Sequence, residues 1–151
     1  MCIRDRLEAY GANLSAHTMF FEGALEAVHT LRDRGDRVAI CTNKPAGLAE
    51  QLMRDLQARD LFYALIGADT LPVRKPDPAP FFEAVKRAGG DVSRSCMIGD
   101  TLTDHSTART AGVPSILVDF GPGDEDVKAL NPDAILSHFA DLPDLVEKLL
   151  P

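Results

Sequence analysis

The feature that most constrains the fold of this chain is the stretch Cys96–Asp104, in which a short apolar run ends at a glycine and two aspartates follow. Cys96–Ile98 has the length and composition of a buried strand, and Gly99 lets the backbone turn sharply at its end. Asp100 therefore comes at the carboxyl end of a strand, where open α/β sheets bind their ligands. Asp104 follows at the start of a helical pattern, so the turn can bring both carboxylates together, as a hard cation such as Mg²⁺ prefers.

The same two aspartates also have a purely structural explanation. Asp is favoured in turns and at helix N-caps because its side chain hydrogen-bonds nearby backbone amides. The segment from Gly99 to Asp104 therefore supports a metal site and a structural turn about equally well. Only the rest of the chain can distinguish the two.

Short apolar runs alternate with helical patterns along the chain. The strands are predicted at residues 37–41, 64–67, 96–98, 115–118 and 134–136, and the helices at 23–34, 45–56, 81–88, 104–111 and 142–150. This alternation predicts a mostly parallel sheet covered by helices on both faces. A chain of 151 residues, of which 45% are hydrophobic, can build the core of one compact domain.

Charge and hydropathy exclude several kinds of partner. The chain has 16 basic and 23 acidic residues, a net charge of −7, and no basic cluster that could follow a phosphate backbone. No apolar run approaches the ~20 residues that a membrane helix needs, and Met1–Arg6 carries charges where a signal peptide would be apolar. We therefore expect a cytoplasmic protein without a nucleic-acid or membrane partner, and the sequence leaves its oligomeric state open.

Two further polar features lie beside predicted strands. Thr42 and Asn43 follow the strand at 37–41, and Lys75 lies in the proline-rich loop 69–80, which cannot be a helix or a central strand. A hydroxyl and the backbone amides of a helix start bind phosphate oxygens, a lysine neutralises charge, and two carboxylates hold Mg²⁺. Taken singly, Thr42 is better explained as a turn residue and Lys75 as a solvated charge. Their occurrence together favours a site for a phosphate ester.

Three segments carry a resemblance to a known family. Residues 41–45, 74–78 and 98–104, followed by 108–113, resemble in this order motifs two, three and four of the haloacid dehalogenase-like hydrolases, and within them most of all the phosphoglycolate phosphatases. The similarity extends from about Leu7 to Leu150. It implies a Rossmann-like α/β/α fold of three layers and Mg²⁺-dependent hydrolysis of a small phosphorylated metabolite, such as 2-phosphoglycolate, through a phospho-aspartate.

The resemblance also implies a role for each site residue. Thr42 would hydrogen-bond the phosphoryl group, with the Asn43 amide beside it, and Lys75 would hold the nucleophile and the phosphate together. Thr42 and Lys75 are thus the predicted catalytic residues, and both bind phosphate together with Asn43. Asp100 would bind Mg²⁺ directly. Asp104 would either complete the metal site or orient Lys75, and the sequence leaves both alternatives open.

One motif of the family is not found in this chain. These enzymes attack phosphorus with the first aspartate of an Asp-x-Asp-x-Thr motif after their first strand, whereas Asp5 follows no predicted strand and lacks the second aspartate and the threonine. We expect Met1–Arg6 to be foreign sequence, residues 1–20 to comprise this start and a remnant of the helical cap, and residues 21–151 to be an incomplete hydrolase core.

The missing motif has consequences for stability and for activity. Without its central strand and most of its cap, the fold would leave inner strand edges unpaired and an empty position beside Asp100. Such a chain should be unstable or aggregation-prone, and inactive for want of its nucleophile. The alternative is a non-catalytic module of the same fold that binds phosphate or Mg²⁺.

Overall fold

The computed structural model describes residues 2–3, 14–120 and 126–150, and for residues 2–3 and 14–22 it describes the backbone alone. Asp5 and residues 7–13 of the expected cap remnant lie outside the described residues. The helices are α1 (Leu14–Asp33), α2 (Ala46–Asp55), α3 (Ala79–Arg87), α4 (Leu102–Ala111) and α5 (Leu142–Leu149). The strands are β1 (Cys2–Ile3), β2 (Ile40–Cys41), β3 (Leu65–Ile66), β4 (Met97–Gly99), β5 (Ser115–Val118) and β6 (Ala134–Leu136).

All of the described strand pairs are parallel, which confirms the predicted α/β fold. One sheet has the strand order β1-β4-β5-β6, and β2 and β3 form a second, two-stranded sheet. Ile98 lies opposite Ile116 in the first sheet, and Ile40 lies opposite Leu65 in the second. Because the strands are parallel within each sheet, the segments that follow β4 and β5 emerge at one edge, and those that follow β2 and β3 emerge together at the corresponding edge of theirs.

The edge of β4 that we expected to be unpaired has a partner in the structure. Cys2 lies opposite Met97 and Ile3 lies opposite Ile98, and β1 also contacts β2. Unpaired backbone groups inside a sheet are costly, so even a two-residue segment is stabilised there. The sequence did not predict β1, because charged residues follow Ile3 at once and the apolar run is too short to stand out. Among the described residues, this pairing covers Met97 and Ile98.

The core lies in two clusters, one on each face of the strands. Alternate strand residues point to opposite faces, so that Ile40 and Ile98 join one cluster while Cys41 and Met97 join the other. The first cluster packs against α1, α2 and α5, and the second packs against α3 and α4. Every residue of β2 to β5 is buried, as expected for strands covered on both faces. The arrangement has the three layers that the resemblance implied.

Several helix ends differ from the predicted ones. Helix α3 begins at Ala79 and includes Pro80, which we expected to lie in the proline-rich loop, because a proline is tolerated in the first turn of a helix. Helix α4 begins two residues earlier than expected because the Thr101 side chain caps it by accepting from the Asp104 amide, and it stops at Gly112, whose φ of 75° suits a glycine. Helix α1 runs unbroken through the expected domain boundary between residues 20 and 21. The division into a cap remnant and a core remains a prediction. None of the helices in residues 14–120 and 126–150 combines the length and apolar character needed to cross a membrane.

The side chain of Phe81 is fully buried in the cluster beneath α3, whereas its neighbour Phe82 is 39% exposed. We expect Phe81→Ala to lower the free energy of unfolding by about 3–5 kcal/mol, because it removes buried surface and leaves a cavity. Phe82→Ala is the matched control and should cost about 1 kcal/mol or less. Urea denaturation followed by circular dichroism measures both, and equal losses would contradict this packing of α3.

Candidate functional site at the carboxyl edge of the strands

Thr42 directly follows β2 and is 2% exposed. Its backbone amide donates to the Ile66 carbonyl at 2.8 Å, which extends the pairing of β2 with β3 by one residue. Its Oγ1 accepts from the Lys44 amide at 2.9 Å, so the hydroxyl stabilises the turn that leads into α2. Since this bond uses only a lone pair of the hydroxyl oxygen, the hydroxyl hydrogen can be donated to another acceptor.

Lys75 and Asp104 form an ion pair in the interior. Lys75 Nζ donates to Asp104 Oδ1 at 2.7 Å, and neither side chain has any exposed surface. Asp104 Oδ2 accepts from the Thr101 hydroxyl at 2.9 Å and from the Asp100 amide at 3.2 Å. Because water does not screen charges at this depth, each member of the pair depends on the other. Lys75 is therefore a buried cation with a defined direction, and not a solvated loop charge.

Gly99 makes room for the Asp104 carboxylate. A Cβ at residue 99 would overlap the Asp104 side chain. The φ of Gly99 is not positive, so the sequence-based explanation, a sharp turn that only glycine allows, is not the operative one. What this position requires is the absence of a side chain, because that lets Asp104 approach the end of β4.

Asp69 was not predicted as a site residue, yet it lies at the start of α2. The Ala46 amide donates to Asp69 Oδ1 at 2.8 Å, while Pro45 at the helix start provides no capping side chain. A carboxylate is favoured there by the helix dipole. The first amide of α2, which we expected to be open to a phosphate, thus has a protein acceptor. No sequence signal pointed to this, because Asp69 lies in the loop after β3.

Hydrogen bonds join four of the five predicted site residues in one continuous set of contacts. The Asn43 side chain contacts the backbone of Lys75 at 3.1 Å, Lys75 contacts Asp104, and Asp104 contacts the Asp100 amide. Thr42 adjoins Asn43 in the chain. The contacts join the loop after β2, the proline-rich loop and the end of β4, as expected for segments at the carboxyl edges of parallel strands.

His105 makes a contact that connects two elements of the core. It is 8% exposed, and its Nδ1 lies 2.9 Å from Ser115 Oγ, which connects α4 to β5. Burial lowers the pKa of His105 and the nearby Arg109 lowers it further, while Asp133 opposes both. Burial thus favours the neutral form of the imidazole.

The two predicted metal ligands, Asp100 and Asp104, are not equally suited to bind Mg²⁺. Asp104 already accepts from Lys75, Thr101 and Asp100, whereas Asp100 lies at the end of β4 and is 8% exposed. Within the described residues no group of three or more His, Cys, Asp or Glu side chains could hold a metal ion. Mg²⁺ commonly binds through one or two carboxylates and completes its shell with water or substrate phosphate. Asp100 fits such a single-carboxylate ligand better than Asp104 does.

A methyl group at residue 99 tests the close approach of Asp104. We expect Gly99→Ala to lower the free energy of unfolding by about 1–3 kcal/mol, because the added Cβ displaces the Asp104 carboxylate or the end of β4. Gly47→Ala is the control: no atom lies within 4 Å of a Cβ there, and α2 should gain up to about 1 kcal/mol. Thermal and urea denaturation of both variants measure the difference. A Gly99→Ala chain as stable as the original would contradict the geometry.

Removal of one charge tests the buried ion pair. Asp104→Asn should lower the free energy of unfolding by about 3–5 kcal/mol, because it leaves Lys75 as an uncompensated buried cation. The double variant Lys75→Met with Asp104→Asn should be more stable than Asp104→Asn alone, since it removes the stranded charge. Urea denaturation of the variants is the measurement. The single variant Lys75→Met completes the comparison. If the double variant loses as much free energy of unfolding as the two single variants lose together, the two residues are not coupled.

Comparison with known proteins identifies relatives of this chain. The sequence model of the haloacid dehalogenase-like hydrolase family matches residues 2–118. A phosphoglycolate phosphatase from Mesorhizobium japonicum is 39% identical over 145 residues, which are 95% of this chain and 64% of that protein. Another from Caulobacter vibrioides is 39% identical over 137 residues, which are 91% and 58% of the two chains.

A solved structure shares the fold. The crystal structure of a predicted phosphoglycolate phosphatase from Haemophilus somnus matches with a TM-score of 0.74 and 27% identity, and the match covers 80% of this chain and 54% of that one. The present chain thus spans less than two thirds of the length of these relatives. Because the family model covers most of its residues, and because relatives share its sequence along nearly all of its length, the chain belongs to the haloacid dehalogenase-like hydrolases.

Proposed function

We propose that this chain is the core of a Mg²⁺-dependent phosphatase that acts on 2-phosphoglycolate or a similar small phosphate ester. The observation that carries the proposal is the buried Lys75 ammonium, which Asp104 holds at 2.7 Å in the interior beside the loop that contains Thr42. A cation fixed in this way can stabilise negative charge on a phosphoryl group without reorganising. The names of the relatives from Mesorhizobium japonicum and Caulobacter vibrioides supply the substrate.

In this proposal, the loop after β2 binds the phosphoryl oxygens. The Thr42 hydroxyl can donate its hydrogen, and the Asn43 amide makes no hydrogen bond to another described residue, so it can donate as well. Lys75 binds the phosphoryl group and the attacking carboxylate together. The amide of Ala46 is not part of this set, because Asp69 accepts from it.

We assign Mg²⁺ to Asp100 and the orientation of Lys75 to Asp104. The support is that both oxygens of Asp104 accept hydrogen bonds from protein groups, while Asp100 stands at the end of β4 beside them. A bound Mg²⁺ would neutralise charge on the phosphate ester. Asp104 holds the Lys75 Nζ in place by its hydrogen bond, which is a role that does not require it to touch the metal.

The proposed reaction passes through a phospho-aspartate. Since the sequence contains no Asp-x-Asp-x-Thr segment, we propose that residues 21–151 form the hydrolase core and that this chain does not turn over by itself. The partner is then a small phosphorylated metabolite in the cytoplasm. The second candidate is a non-catalytic module that binds phosphate or Mg²⁺, and it is favoured by the same missing segment.

Phosphate release from 2-phosphoglycolate in the presence of Mg²⁺ tests the proposal. The chain should release none, whereas a longer version, extended with the first strand and cap of the Mesorhizobium japonicum relative, should be active. Asp100→Asn in the longer version should abolish the Mg²⁺ dependence together with most of the activity. Equal activity of the two versions would contradict the need for the missing aspartate.

Calorimetry of the short chain distinguishes the two candidates. Binding of inorganic phosphate and Mg²⁺ by a folded chain, with no activity in the longer version, would favour the non-catalytic module. Lys75→Met should abolish phosphate binding in either case, because it removes the buried cation. Phosphate binding that persists in this variant would place the phosphate elsewhere.

A further inference from the structure

The side chain of Asn43 makes two hydrogen bonds with the backbone of one residue. Its Nδ2 donates to the Lys75 carbonyl at 3.1 Å, and its Oδ1 accepts from the Lys75 amide at 3.1 Å. The two residues are 32 positions apart and lie in different loops. A carboxamide is suited to this contact because it presents a donor and an acceptor side by side. Asn43 therefore pairs with Lys75 much as a neighbouring strand residue would.

The composition of the proline-rich loop explains why this pairing matters. The prolines at positions 72, 76 and 78 have no N–H, so the loop has fewer backbone donors of its own, and groups outside it also pair with its backbone. Within the loop, the Asp77 amide donates to the Arg74 carbonyl. Asn43 provides such a partner at Lys75. It also follows Thr42, whose amide is hydrogen-bonded to Ile66, so the contact ties the loop to the end of β2.

Lys75 is consequently held at both ends. Asn43 holds its backbone, and Asp104 holds its ammonium group at 2.7 Å. A lysine side chain is long and flexible, so a fixed ammonium position requires a fixed starting point as well as a fixed partner. Asp104 provides the second requirement only.

We infer that Asn43 is a positioning residue that sets the place of the Lys75 ammonium through the Lys75 backbone. The inference rests on the proposed function of the same site, to which it adds a role for the Asn43 side chain distinct from phosphate binding by its amide. Asp at this position could accept from the Lys75 amide but would turn an acceptor towards the Lys75 carbonyl. Leu, of similar size, would pair with neither group.

Acylation of lysine amines, followed by peptide mass spectrometry, tests the inference without an activity assay. In the original chain Lys75 should react far more slowly than the exposed Lys86, since its side chain is buried. In Asn43→Asp and Asn43→Leu the acylation rate of Lys75 should rise about tenfold or more. Each substitution leaves backbone groups of Lys75 unpaired, and this favours opening of the loop. Asn131→Asp, at an exposed position, is the control with the same change of charge and should leave the rate unchanged.

Reaction of the buried Cys96 thiol separates local release of Lys75 from general loosening. We expect its rate to stay constant in the two Asn43 variants. A Lys75 rate that does not change, or that rises only in proportion to that of Cys96, would overturn the inference. Amide hydrogen exchange in the original chain adds a test that needs no variant, since the Lys75 amide should exchange at least about tenfold more slowly than the Arg74 amide.

These measurements also keep the inference apart from the proposed function. If Asn43→Asp releases Lys75 while the longer version shows no Mg²⁺-dependent phosphate release, the positioning role holds and the phosphatase proposal fails. If the longer version is active but Lys75 is not released, the proposal stands and the inference fails.

Discussion

The arrangement of this site depends on the buried ion pair between Lys75 and Asp104. With no exposed surface on either side chain, each charge would cost several kcal/mol to bury alone. The pair therefore requires the proline-rich loop and the start of α4 to keep one relative position. Gly99 supports the pair by leaving space for the carboxylate, and Thr101 supports it by donating to the second carboxylate oxygen. Several residues that look like independent motif positions thus serve a single interaction.

Basic side chains at the amino and carboxyl edges of the strands donate to different kinds of acceptor. At the amino edge, arginines donate to backbone carbonyls: Arg32 to Leu61, Arg59 to Phe62 and Arg37 to Ala88. The guanidinium groups of Arg32 and Arg37 also lie 4.9 and 5.0 Å from the centre of the Tyr63 ring. These contacts stabilise the segments that enter the strands. At the carboxyl edge, by contrast, Lys75 donates to the side-chain carboxylate of Asp104.

Much of the fold could be predicted because it follows from local patterns. The strands at 115–118 and 134–136 were predicted with the bounds that the structure has, since apolar runs bounded by proline, glycine or polar residues specify them. Thr42, Asn43, Lys75, Asp100 and Asp104 were proposed as site residues because they follow predicted strands or lie in a loop beside one. The last four are joined by hydrogen bonds in the structure, whereas their role as a site remains a prediction.

Residue types and spacing in the sequence alone determined the α/β architecture, the edge at which the site lies and the five candidate residues. Only the tertiary structure decided how those residues contact one another. It paired Cys2–Ile3 with β4, brought Asp69 to the start of α2, turned the Asn43 side chain to the Lys75 backbone and engaged both Asp104 oxygens with protein donors. Most of these contacts join residues far apart in the chain, and they form because packing leaves buried polar groups that must find partners. A local sequence pattern does not specify which distant residue a polar group will contact in the fold.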